Sequence, residues 1–216
     1  MPRGEPVSPT KATPAVPRTD GRTARAHRNQ AKLVDAVHGL LREGETIPTR
    51  EQVAARAGLS LRTAYRHFAD IESLTAAISA RLGEEVLPWL SLGPFLGDTP
   101  TRVRELVRRR SAMYELMAPF RRATEPWVAR LPGQVGDRKM FAEVTRHQMR
   151  DALGAELENR DDDFIELLDA AISFETWDRM RREQQLDAER AARLLERAIH
   201  ALLAEPPSDD PRRTTR

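Results

Sequence analysis

Residues 49–74 read TREQVAARAGLSLRTAYRHFADIESL, and the fold of the chain turns on them. Thr49 and Gln52 form T-x-x-Q, the spacing of a capping box, in which a hydroxyl accepts from the backbone three residues on and the amide reaches back. Gly58 stands where a helix must stop, because glycine takes the left-handed conformation at little cost. Ser60 offers a new N-cap two residues later, and Asp70 another. Helix, tight glycine turn, helix is the grammar of a helix-turn-helix. The second helix carries Arg62, Thr63, Tyr65, Arg66 and His67, side chains that can reach phosphates or base edges.

Composition agrees with an all-α chain of 216 residues, with 40% apolar, 31% charged and 5% aromatic content. The net charge is +2, but it is unevenly spread. Residues 1–70 hold 12 Lys/Arg against 7 Asp/Glu, and the remainder 23 against 26. The positive end coincides with the helix-turn-helix signal, which favours a polyanionic partner there. There is no cysteine, which excludes disulfides, thiolate metal sites and thiol catalysis. No apolar run approaches about 18 residues, and the N-terminus has no hydrophobic leader pattern. The expectation is a soluble, cytoplasmic protein with no membrane partner and no cofactor.

Working outward, residues 1–21 hold five prolines and almost nothing apolar, so a disordered, mildly basic arm is expected. It either stays solvated or brushes a polyanion. The first helix is expected from Arg22 to Glu43, with Leu33, Ala36, Val37, Leu40 and Leu41 on one face. After Asp70 a fourth helix carries Ile71, Leu74, Ile78 and Leu82 and fades near Pro88, leaving 88–100 as a loop or broken helix end. Thr99-Pro100 starts a fifth, which should kink or break at Pro119. A short helix from Phe120 to Arg130 follows, ended by Pro132-Gly133, and another begins near Asp137. Asp161–Asp163 form an acidic run suited to a helix N-terminus rather than a metal. The helix behind it carries Phe164 to Trp177. Asp187 caps the last helix, and Glu205–Arg216 should be a frayed tail. No strand-like alternation occurs, so about nine helices are expected.

The run Thr49-Arg50-x-x-Val53-Ala54-x-x-Ala57-Gly58, then Ser60-x-x-Thr63-x-Tyr65-x-His67-Phe68, then Leu74, resembles the TetR family of bacterial transcriptional regulators. The resemblance covers about residues 25–82. It implies a helix-turn-helix unit over 22–70 and a larger helical body over 71–204 for ligand binding and dimerisation. It also implies double-stranded DNA as partner, through Thr49, Arg50, Ser60, Leu61, Arg62, Thr63, Tyr65, Arg66 and His67. Arg62 is expected on bases and Arg66 on a base or a phosphate, while Tyr65 and His67 resemble the family's phosphate-facing pair. Leu61 suits a thymine methyl, and Phe68, Val53, Ala57 and Ala64 the core. One departure stands out: where the family often carries a phosphate-binding lysine, this chain has Ile71 between Asp70 and Glu72.

One recognition helix reads only a few base pairs, so a homodimer on a palindromic operator is expected. Its interface is placed on Phe164, Leu168, Ile172, Leu195, Ile199 and Leu202, as a four-helix bundle. A small apolar or amphipathic effector would bind among Trp89, Met113, Tyr114, Met117, Phe120, Trp127, Phe141, His147 and Trp177. The reading is a dimeric repressor released by that effector. The alternatives are an activator or ligand-independent regulator of the same family and, more remotely, a helical protein–protein adaptor. An enzyme is not expected. No phosphate loop, Ser-x-x-Lys or H-E-x-x-H occurs, and no two of the five histidines are four apart.

Overall fold

The structure is a computed structural model that describes residues 21–45, 48–68, 71–125 and 132–206. The side chains of 21, 22, 68, 71–74 and 132–137 are not among those described. The described residues form nine helices and no strand: α1 (Gly21–Arg42), α2 (Arg50–Ala57), α3 (Leu61–Phe68), α4 (Ile71–Leu90), α5 (Thr99–Thr124), α6 (Pro132–Leu157), α7 (Asp162–Ala171), α8 (Phe174–Arg182) and α9 (Ala188–Leu203). Among them no helix is long and apolar enough to cross a membrane.

Two hydrophobic cores organise these helices. The smaller joins Leu33, Val37 and Leu41 of α1 to Val53 and Ala54 of α2 and Ala64 of α3. An eight-residue helix buries too little to hold itself, so α2 and α3 depend on the apolar stripe of α1. The larger core gathers α5 through α9 around Trp177, Tyr114, Leu106, Leu168 and Ile199. Leu82 of α4 packs against both cores. Phe120, near the end of α5, is buried in the smaller one, so α5 reaches from the large body into the N-terminal unit.

Local chemistry sets most of the helix ends. Asp98, Asp161, Ser173 and Asp187 are N-caps, each accepting from the backbone three residues on. The connection before α5 is strapped down by Arg109, which is 5% exposed. Its Nη atoms donate to the carbonyls of Leu92 and Gly93, both at 2.9 Å, and its Nε to Glu105 at 2.7 Å. Its guanidinium also lies 4.1 Å from the Phe95 ring centroid.

Four expectations about helix limits are corrected. Pro88 lies inside α4, which runs on to Leu90. Pro119 lies inside α5, which continues to Thr124 because Met117, Ala118 and Phe120 are all buried and hold both sides of the proline in place. Helix α6 already includes Pro132 and Gly133, and carries a non-helical residue at Leu153 (φ −122°, ψ 18°). The segment Phe164–Trp177 is two helices: Ile172 leaves helical geometry and Ser173 caps a new start. The N-terminal arm, most of the C-terminal tail, Asp70 and Trp127 lie outside the described residues.

Candidate nucleic-acid interface

Helix α2 begins with the expected capping box. Thr49 Oγ1 accepts from the Gln52 N–H at 3.2 Å, and Gln52 Oε1 accepts from the Thr49 N–H at 2.7 Å. The helix ends at Gly58, whose φ of 63° and ψ of 36° are left-handed, and the Gly58 N–H returns to the last turn. Two residues later Ser60 opens α3: its Oγ accepts from the Thr63 N–H at 3.2 Å and meets Thr63 Oγ1 at 2.9 Å. Ser60 and Thr63 are thus engaged in building the helix start. The connection from α2 to α3 is three residues, Gly58 to Ser60.

Burial then sorts the faces of α3. Ala64 is fully buried against α1 and α2. Arg62 and Arg66, one turn apart, are exposed, as are Leu61 at 40% and Tyr65 at 46%. Among the described residues neither arginine is held by an ion pair, so each carries a charge open to an outside acceptor. Arg50 stands at the start of α2 with its guanidinium 4.8 Å from the centroid of the Tyr65 ring. His67 sits less openly than its neighbours on α3. It is half-buried, and its Nε2 is buried without a hydrogen-bond partner among the described residues. The side chains of Phe68 and Ile71 are outside the described set.

The unit is braced from below by Arg56, which sequence reading passed over. Its two Nη atoms grip the Glu43 carboxylate at 2.5 and 2.6 Å. The same guanidinium lies against Gly39, where a Cβ would come within 2.8 Å of an Nη atom. The hydrogen bonds from Arg56 hold the Glu43 carboxyl below its ordinary value. Arg56 is therefore committed to α1 and is no spare phosphate contact.

Most of the expected effector residues that the structure describes are packed rather than open. Met113, Tyr114 and Trp177 are interior packing of the large core at 0–1% exposure, and Met117 is buried beside them. Phe120 belongs to the other core, with its ring 4.8 Å from that of His38. Phe141 is partly buried, and its ring centroid lies 6.3 Å from that of Tyr114. His147 is exposed, with Nδ1 3.0 Å from the Glu143 carbonyl. Trp89 alone of these lines an open groove, shared with Arg42, Glu85, Glu115, Leu116 and Pro119.

The residues placed on the dimer face are mostly interior to the protomer. Phe164, Leu168, Ile172, Leu195 and Ile199 are buried inside the protomer at 0–9% exposure, which leaves only Leu202 half-buried. A helix seen as a sequence shows how wide its apolar stripe is, but not which neighbour covers it. Here α5 and the other helices of the same chain do.

No family model matches the chain, and no curated protein matches it either. Among solved structures, the chain is similar to a transcriptional regulator from Rhodococcus sp. Rha1, at 20% identity over 82% of this chain and 95% of that one, with a TM-score of 0.57. It is also similar to a TetR transcriptional regulator from Rhodococcus sp. RHA1, at 21% identity over 83% and 97%, with a TM-score of 0.49. The first of these likenesses shows a shared fold. The chain shares its all-helical fold with that regulator.

Proposed function

We propose that the protein is a DNA-binding transcriptional regulator. Residues 22–70 read DNA, and residues 71–204 form the sensing and dimerisation body. The observation that carries this reading is the exposed face of α3, where Arg62 and Arg66 project beside the Arg50–Tyr65 stack. A helix held by caps at a fixed angle, with two arginines four residues apart, suits the major groove, where arginine pairs bidentately with guanine. Tyr65, Arg50 and Thr49 would hold the phosphate backbone, which sets register. Arg50 and the basic segment before α1 would take a larger share of this contact, because Ile71 replaces the family's usual lysine.

In the fuller reading the protein is a homodimeric repressor on a palindromic operator, released when an effector binds the larger body. Two facts favour coupling between the two parts. Phe120 of α5 is packed in the N-terminal core, and Leu82 of α4 touches both cores. An effector that favours one arrangement of α5 would shift α1–α3 with it.

Selection of bound fragments from the genome tests the proposal, followed by salt-dependent binding of the recovered site. A shared palindromic motif bound by the wild type and lost in the R62A/Y65A/R66A variant supports it. Equal affinity for all duplexes, with tight binding to another protein, supports an adaptor instead.

A further inference from the structure

Arg110 lies on the apolar stripe of α5, one turn from Leu106 and from Tyr114, and is 1% exposed. Its three hydrogen bonds all go to neutral groups. One Nη donates to the Tyr114 hydroxyl at 3.0 Å and to the Ile172 carbonyl at 3.3 Å, and the other donates to the Thr145 carbonyl. The Ile172 carbonyl is available because the helix breaks there between α7 and α8. Nε is buried with no partner. A guanidinium has five N–H donors, so two remain unused, Nε–H and one on the second Nη. The nearby carboxylate of Asp169 is engaged by Arg146 at 3.3 Å instead.

The neighbouring Arg109 shows what a settled arginine looks like in this protein: two carbonyls, a carboxylate and a ring face occupy it. Arg110 makes no ion pair among the described residues, and its Nε is unpartnered. A buried charge without one is costly, and such a charge persists where something else completes it. The open pair of donors suits the two oxygens of a carboxylate. The surroundings suit an apolar body on that carboxylate. The same core holds the rings of Tyr114, Phe174 and Trp177, with four buried methionines, Met113, Met117, Met149 and Met180. Methionine repacks readily, so this core can open around a guest.

We propose that Arg110 anchors the acid group of a monocarboxylate effector with an apolar or aromatic body, seated in the core between α5, α6 and α7. The proposal rests on the reading of the larger body as a sensor and names its ligand class. The carboxylate replaces nothing charged; it supplies the missing counter-ion. Its apolar part displaces methionine side chains, and the displacement reaches the N-terminal unit along α5 through Phe120.

The test uses the full chain and four probe acids, hexanoate, octanoate, benzoate and phenylacetate, each against its primary amide. The expected result is a rise in melting temperature with at least one acid and none with its amide. In R110M the affinity for that acid falls by about tenfold or more, since a charge-assisted bond pair is lost. R110M without probe is expected to melt no lower than the wild type. Should R110M not fold, R110K carries the test, because it keeps the charge and loses the planar fork. No response to any acid, an equal response to acid and amide, or an unchanged response in the folded variant overturns the proposal. A parallel measurement of wild-type binding to selected genomic fragments separates the two claims. Fragment binding with no acid response removes only the ligand assignment, and an acid response with no fragment binding removes only the regulator reading.

Discussion

The guanidinium of Arg50 lies 4.8 Å from the centre of the Tyr65 ring, joining the first residue of α2 to the outer face of α3. Both side chains are exposed, so the contact is held between two ends of one short motif at the surface. It places a positive charge beside α3. Replacing Arg50 with alanine should weaken binding by a similar factor on every sequence and lower the salt slope by about one, as for loss of a phosphate contact. Replacing Arg62 should instead cost about 1–3 kcal/mol on the selected site and relax preference at one position. Titrations of both variants on the selected and a scrambled duplex, at several salt concentrations, distinguish the two patterns.

The stability of α2 rests on its ends. T49A removes the hydroxyl that accepts from the Gln52 N–H and should cost about 1 kcal/mol in urea unfolding. G58A meets open space, with no atom within 4 Å of the added Cβ. Its cost, about 1 kcal/mol, comes from the left-handed φ alone.

His38 sets a pH dependence. Its ring is 7% exposed and packs against Phe120, and its Nε2 is 3.3 Å from Glu85 without hydrogen-bond geometry. Burial holds its pKa below the usual 6.5, Glu85 pulls it the other way, and Arg81 and Arg42 add repulsion. The folded state then binds the proton less readily than the unfolded chain. The stability this confers is complete above 6.5 and is lost as pH falls from there through the lower folded-state value. Melting temperatures between about pH 8 and about pH 5 should fall less steeply for H38Q than for the wild type.

Phe120 ties the two cores together. F120A should cost about 3–5 kcal/mol, as other buried phenylalanine truncations do. Its effect should appear in the N-terminal unit although the residue belongs to α5. Amide hydrogen exchange that accelerates in α1–α3 more than in α7–α9 is the expected outcome.

What the sequence made legible was local. The box at Thr49 and Gln52, the stop at Gly58, the helix start at the acidic run Asp161–Asp163 and the cap at Asp187 each depend on residues within four positions, and the structure has all of them. The split at Ser173 was just as local, but the recurrence of apolar residues from Phe164 to Trp177 hid it. Other features depend on distant partners. Pro119 is carried within a helix because two cores grip α5 on either side of it. The apolar faces of α7 and α9 are covered by their own chain, which periodicity alone does not reveal. Arg110 left a signal that was passed over: a charged residue in step with Val103, Leu106, Val107, Met113 and Met117 on one stripe.

The central claim is that the exposed face of α3 reads DNA. The most direct measurement is the affinity of the wild type and of R62A/R66A for a genomically selected duplex and for a scrambled one of equal length, at fixed salt. The expected result is tight wild-type binding to the selected duplex only, with the variant folded and its preference gone. Equal affinity of the wild type for both duplexes, or a variant that keeps the wild-type preference, would contradict the assignment.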